Sequence, residues 1–480
     1  MFRAARFAVS ARLLRKSDYG ETGDVTLNKY FQTKRLVCWL TQRQSGSFRF
    51  AHIAALFCGG NIVSLALRMT GGLLTTRLVE PQTLGLFNGI GLVLAYAPFL
   101  QLGILTGLNR ELPYFIGAGD RRRADQMAAS AQAWALCVGS VVAGGLFLGA
   151  AWYSEKGRWE YSAGLATNGL LGFLFFYSQN SLQTTYRTSH EFAKIAIANV
   201  ASNFANLALV PIVVLLGFYG LCLRALLAAA LNAQLLWRWR PFRIKPAWNR
   251  GHLTDLLKVG APIFGVALVW SWWTAMDSTL VLKYMGTRGL GLYSLSLMAG
   301  SAISLLPTSV AQMVYPRMAE AYGRSGNIRE VLTIAQRPTI FLVAIMMPIA
   351  LACWHVLPVM APVLLPRYTA GIRAAQWSLV CASVLAVDVP VILFAVVKRQ
   401  DLYGVATLAG VGTYFGSLQV LSRHGRYLAA FPQAMTTGYG VFLLLSYTFM
   451  YCLVRRGVNW RPWTTMVPRS KLIVADGGAE

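Results

Sequence analysis

About twelve runs of some twenty predominantly apolar residues follow one another along this 480-residue chain, each parted from the next by a short polar or glycine-bearing segment. That length lets a helix cross the hydrocarbon core of a bilayer, where every backbone polar group has to be satisfied within the structure. The runs lie at about 53–74, 84–108, 127–152, 163–182, 192–216 and 219–237, then at about 256–280, 290–314, 339–358, 374–397, 402–421 and 434–454. A basic segment, 238–258, with Pro241 and Pro246, separates six from six. The expected fold class is an all-α integral membrane protein of about twelve transmembrane helices in two six-helix lobes. Its expected parts are a basic tail (1–50), an N-lobe (51–240), a linker (241–255), a C-lobe (256–456) and a C-terminal tail (457–480).

Charge orients such a bundle. With both termini on one side, 33 of the 44 Lys/Arg fall on that side and 9 on the other, Arg68 and Arg224 lying inside runs. The excess assigns both termini to the cytoplasm. It also accounts for the net charge of +26 without nucleic acid, because the basic residues sit in short loops and not on a soluble face. Met1 to Phe50 carries ten Lys/Arg and no apolar run of signal-peptide length. It reads as a cytoplasmic tail, with a transit-like or interfacial segment as the alternative.

Residues 84–120 read LGLFNGIGLVLAYAPFLQLGILTGLNRELPYFIGAGD, and 290–327 read LGLYSLSLMAGSAISLLPTSVAQMVYPRMAEAYGRSGN. Aligning Gly85 with Gly291 gives an offset of 206, which Pro113/Pro316 and Gly119-Asp120/Gly326-Asn327 keep to within a few positions. An internal repeat in a membrane chain points to two matching half-bundles with a site between them. Six spans apart, the two units run the same way. The lobes are therefore expected to be parallel repeats around a central cavity, related by an axis along the membrane normal.

Catalytic or metal-binding patterns do not emerge. The seven cysteines are scattered and form no CxxC, and His190, His252, His355 and His424 are isolated. No cofactor, metal or catalytic residue is expected. Outward loops are too short for an extracytoplasmic catalytic domain.

The exit GLNRELPYFIGAGD at 107–120 resembles that of bacterial polysaccharide-biosynthesis flippases. These are the oligosaccharide-lipid translocases of the multidrug/oligosaccharidyl-lipid/polysaccharide exporter superfamily. Asp277 within a span, the LGLY start at Leu290, Val314-Tyr315-Pro316-Arg317 and Tyr322-Gly323 are similar too. The resemblance covers about 53–454 and implies two six-helix lobes in a V around a cavity, in a bacterial inner membrane. It implies transfer of a glycan on a polyprenyl diphosphate from the cytoplasmic to the outer leaflet. Membrane lipids are partners in any case, with a polysaccharide polymerase and a chain-length regulator as further ones. The long basic tail departs from the family's short start.

Such a task needs polar groups facing the interior, and charge inside a span is costly enough to mark candidates. Arg68 and Arg224 suit diphosphate or acidic sugar, since guanidinium matches phosphate oxygens two-pronged; Arg224 is also near enough to a helix end to snorkel. Asp277 and Asp388 are candidates for coupling to an ion gradient, with neutralisation of an arginine as the alternative for Asp277. Asn199, Asn203 and Asn206 share one helix face, where amides suit sugar hydroxyls or tie helices together. Arg110, Glu111 and Arg317 stand at matching cytoplasmic exits, as gate residues or as topology and lipid contacts. The rival readings are a drug/cation antiporter of the same superfamily and a membrane enzyme of glycan assembly.

Overall fold

The computed structural model describes residues 59–117, 119–189, 191–397, 399–423 and 427–456; the expected tails and the first residues of the first span lie outside them. Among the described residues every regular element is helical. The described residues from Gly60 onward form one compact unit, so the N-terminal and C-terminal halves, or lobes, belong to one body.

The first helix, α1, covers 59–78. The second span is broken: α2 (Pro81–Tyr96) passes through a 3₁₀ turn, Ala97–Gln101, into α3 (Ile104–Gly117). Pro98 supplies no N–H to the helix ladder. The chain then takes positive φ at Leu102 (54°) and Gly103 (89°), and Trp134 Nε1 donates to the Gln101 carbonyl at 3.2 Å, occupying an acceptor the break exposes. Next come α4 (Arg121–Glu155), whose first turn Asp120 caps by accepting from Arg123 N at 3.0 Å, and α5 (Trp159–Leu174). A π-helical stretch, Phe175–Leu182, leads into α6 (Gln183–Thr188). The N-terminal half closes with α7 (Phe192–Ala208), α8 (Val210–Leu216) and α9 (Phe218–Arg238).

In the second half, α10 (Arg250–Ser325) is continuous except at Gly286 (φ 68°, ψ −172°). Tyr293, past the break, donates to Asp277, before it, so the two limbs fold back on each other. The loop expected between spans seven and eight is thus reduced to one glycine, whose missing Cβ permits that backbone. Then follow α11 (Ile328–Leu364), a 3₁₀ turn at Pro366–Gly371, α12 (Ile372–Val384), a 3₁₀ stretch Leu385–Ile392 around Pro390, α13 (Leu393–Val396), α14 (Gln400–Arg423) and α15 (Ala430–Arg456).

Among the described residues nine helical segments are long and apolar enough to cross a membrane, against the twelve runs read from sequence. The difference has local causes. The first run is described only from residue 59, the fourth is interrupted by the π stretch, and both limbs of α10 fall in one segment, Ala267–Ala311.

The segment between the halves does not hang free. Ala247 N donates to the Ala129 carbonyl at 3.3 Å, the Trp134 and Trp248 rings lie 5.8 Å apart, and Phe242 is buried against the α3–α4 core.

The halves meet along two seams. Glycines let α2 and α3 lie against the first limb of α10: a Cβ at Gly107 would strike the Leu256 carbonyl, and one at Gly260 the Gly103 carbonyl. Tyr96 and Thr279 hydroxyls hydrogen-bond at 2.7 Å between them. The second limb meets the N-terminal half toward the end assigned outward. There Gly72 and Thr76 meet Met298, Asn88 Nδ2 donates to Ser294 Oγ at 2.9 Å, and Tyr368 Oη donates to the Val79 carbonyl at 3.1 Å. Toward the end assigned inward, Ser301, Leu306, Thr308, Tyr315 and Arg317 of that limb are exposed.

Candidate functional site

Charge inside the spans is divided between the lobes. Arg68 and Arg224 belong to the N-lobe, Asp277 and Asp388 to the C-lobe.

On α1, Arg68 stands one helical turn from Gly72, on the stripe that meets Met298. It is exposed, and among the described residues no ion pair holds it. Arg224 of α9 reaches back to α1: its Nη1 donates to Thr75 Oγ1, which itself donates to the Gly71 carbonyl at 2.6 Å. Its buried Nε has no hydrogen-bond partner among the described residues. The side chain thus turns toward α1 within its own half, with a donor to spare.

The three asparagines of α7 are all half-buried and engaged differently. Asn199 Oδ1 accepts from Asn232 Nδ2 of α9 at 3.1 Å, and Ser202 donates to the Ala228 carbonyl one turn away, so this end of the stripe ties α7 to α9. Asn203 Nδ2 donates to the Asn199 carbonyl at 2.8 Å. Asn206 lies beside Gly71 of α1, next to the Arg224–Thr75 bond.

Asp277 is the hub of the C-lobe. It is 4% exposed, and its two oxygens accept from Tyr293 Oη at 2.6 Å and Tyr414 Oη at 2.9 Å. The carboxylate thus joins both limbs of α10 to α14. Buried Trp273, one turn away, packs on Tyr439 of α15 at 4.7 Å, and Gly410 of α14 lies on Gly438 of α15 around the same indole. The alternative that Asp277 neutralises an arginine is overturned, since its partners are phenols and Arg224 is held within the other lobe.

Asp388 lies in the 3₁₀ stretch beside Pro390, where Tyr447 Oη donates to the Val387 carbonyl at 2.9 Å; its buried Oδ1 has no hydrogen-bond partner among the described residues. Arg110 and Arg317 are exposed and Glu111 half-buried, with no ion pair joining them among the described residues.

Sequence reasoning passed over Thr75, Asn232, Tyr293 and Tyr414. It also passed over the buried polar residues Ser178, Ser181, Gln183, Thr184 and Thr185, where the π stretch turns into α6 and Thr184 donates to Asn109 at 2.7 Å. An SxxSxQTT pattern at a span's end was the available signal; π segments often accompany functional sites.

A profile of the family described as polysaccharide biosynthesis protein matches residues 74–368, more than half of the chain. The chain belongs to that family. No curated protein matches it significantly. Among solved structures, this polysaccharide biosynthesis protein is similar to a multidrug resistance MATE family transporter of the MOP superfamily in its inward-facing conformation. The two are 18% identical, with a TM-score of 0.62 over 82% of this chain and 98% of that one. A MOP superfamily transporter from Pyrococcus furiosus, described as having a binding pocket of reversed polarity that suggests a different function, matches at 16% identity. Its TM-score is 0.56 over 84% of this chain and 95% of that one. An outward-facing MATE structure gives 0.52 at 16% identity over the same shares. The polysaccharide biosynthesis protein thus has the MOP-superfamily fold in a multi-pass membrane chain.

Proposed function

We propose that this protein is a transporter that carries a polyprenyl-diphosphate-linked oligosaccharide from the cytoplasmic to the outer leaflet by alternating access coupled to an ion. The observation that carries the reading is the division of interior charge between the lobes. An anionic diphosphate needs fixed cations in a poorly hydrated space, and the N-lobe offers Arg68 and the spare donor of Arg224 with Thr75 and Asn206 beside it. A coupling cation needs a carboxylate, and the buried carboxylates Asp277 and Asp388 lie in the other lobe, so the two charges do not neutralise each other. Asn203 and Asn206 supply amides for sugar hydroxyls. We assign Arg110, Glu111 and Arg317, at the helix ends given to the cytoplasmic side, to the mouth through which a cytoplasmic-leaflet headgroup enters. Family membership supports a saccharide cargo.

A drug/cation antiporter is the second reading, drawn from the solved MATE structures; a cation as cargo sits poorly beside two N-lobe arginines. The Pyrococcus transporter is described as having a binding pocket of reversed polarity, which is in keeping with the arginines here. A polymerase and a chain-length regulator acting on the outer face are the expected partners, the membrane a bacterial inner one.

The test is deletion of the gene followed by analysis of lipid-linked saccharides. Accumulation of polyprenyl-diphosphate glycan accessible only from the cytoplasmic side is expected, and its absence would rule the reading out.

A further inference from the structure

Just outward of Asp277, by the charge-assigned topology, lies a pocket of about 310 Å³. Leu280, Leu418 and Phe431 form its floor, and Tyr284, Gln419 and Ser422 line it further out. The floor is also the roof of the carboxylate site. Leu280 follows Asp277 by one turn of α10, Leu418 follows Tyr414 by one turn of α14, and the Phe431 ring meets Tyr293 edge-on at 6.4 Å. A single layer of side chains therefore separates the pocket from the carboxylate.

The opposite direction is shut. Trp273, Trp270, Tyr439 and Phe442 stack below Asp277 with centroids 4.7 to 5.6 Å apart, and α14 and α15 touch glycine to glycine at Gly410 and Gly438. Toward the N-lobe, Met276 and Thr279 are covered by Tyr96 of α2.

The groups facing Asp277 tell what it can bind. They are Tyr293 from the second limb of α10, Cys381 from α12 with Thr436 of α15 against its thiol, Tyr414 from α14 and Tyr439 from α15. Charged neighbours of the lining are Lys283, its ammonium 5.7 Å from the Tyr284 ring, and Arg423, next in sequence to Ser422. Hard metal cations gather six or more oxygens, and two phenols beside one carboxylate fall well short. A proton needs only the carboxylate.

We infer that Asp277 is a proton site, served from the outer face through this pocket independently of the space between the lobes. It rests on the ion-coupling reading above and names both the ion and its route.

The experiment is infrared difference spectroscopy of the full-length protein in nanodiscs, following the protonated carboxyl stretch through a pH titration. One band, missing in Asp277→Asn, is expected to titrate and to stay in place when potassium is replaced by sodium. Leu280→Trp, which fills the pocket, is expected to slow deuterium exchange of that band about tenfold, equal to about 1.4 kcal/mol on the exchange barrier. Leu280→Ala is expected to speed it, and serves as the second variant if the tryptophan disturbs folding. A sodium-induced shift of the band, or exchange insensitive to residue 280, overturns the inference. If the band behaves as stated but Asp277→Asn still flips glycan in cells, the coupling reading fails while the proton site stands.

Discussion

Gly85 and Gly291, 206 residues apart, lie against each other where α2 crosses the second limb of α10. Each α-carbon sits beneath a carbonyl of the other helix, that of Thr287 over Gly85 and that of Pro81 over Gly291. Pro81 and Thr287 are themselves 206 apart, and one turn on, Asn88 bonds Ser294 at the same offset. At this crossing Gly85 and Asn88 meet their own counterparts in the repeat while Pro81 and Thr287 make the same contact reciprocally, which places a local two-fold axis between the glycines. Small residues allow backbones this close in lipid.

Gly85→Val or Gly291→Val drives a side chain into backbone that has no room to yield. The expected cost is about 1–3 kcal/mol on the closed crossing. On a cysteine-free background, Ser294→Cys should then react faster with an impermeant thiol reagent added outside. Unchanged labelling would show that the crossing does not seal that face.

Tyr293→Phe and Tyr414→Phe each remove a donor from a buried carboxylate, where hydrogen bonds to charged groups contribute about 1.5–3 kcal/mol. Both variants should unfold at lower temperature in detergent. The double variant should lose more than the sum if either phenol compensates for loss of the other.

Arg399 and Arg324 offer a paired comparison. Arg399 is 5% exposed and bonds Asp401 at 2.9 Å, whereas Arg324 and Glu320 bond at the same distance with side chains 71% and 73% exposed. Removing the buried cation takes away its charge-assisted bonds to the half-buried Asp401, at about 1.5–3 kcal/mol, while the exposed pair is worth about 0–1 kcal/mol. Arg399→Ala should lower the melting temperature clearly and Arg324→Ala hardly at all; equal losses would contradict the burial argument.

Arg224→Ala should reduce glycan flipping by about tenfold or more, and Arg224→Lys should restore little of it, because an ammonium lacks the fork that can hold Thr75 and a phosphate together. Thr75→Val should have a smaller effect, the arginine being retained. Full activity in Arg224→Ala would leave this side chain a purely structural tie between α9 and α1.

The span pattern, the repeat and its register were legible because lipid imposes a simple code on length and polarity. The offset of 206 survives as residue pairs in space. Illegible were the partners of the interior charges. Asp277 meets Tyr293 across the Gly286 reversal and Tyr414 at a separation of 137 residues. Such pairs depend on how each helix is rotated about its axis, and a span that is apolar all round carries little signal for that phase. The asparagine stripe shows the same limit: its common face was readable, but that Asn199 would be taken by Asn232 depended on α9.

The connection between the halves has a mechanical consequence. With Ala247 bonded to α4, Trp248 against Trp134 and Asn249 already capping α10 through Gly251 N and His252 N, hardly any slack remains between what is fixed to one lobe and what begins the other. The joint behaves as a pivot and not as a leash. The second lobe can swing about that point but not slide away from it, and lengthening the joint by a few flexible residues would uncouple its swing from the first.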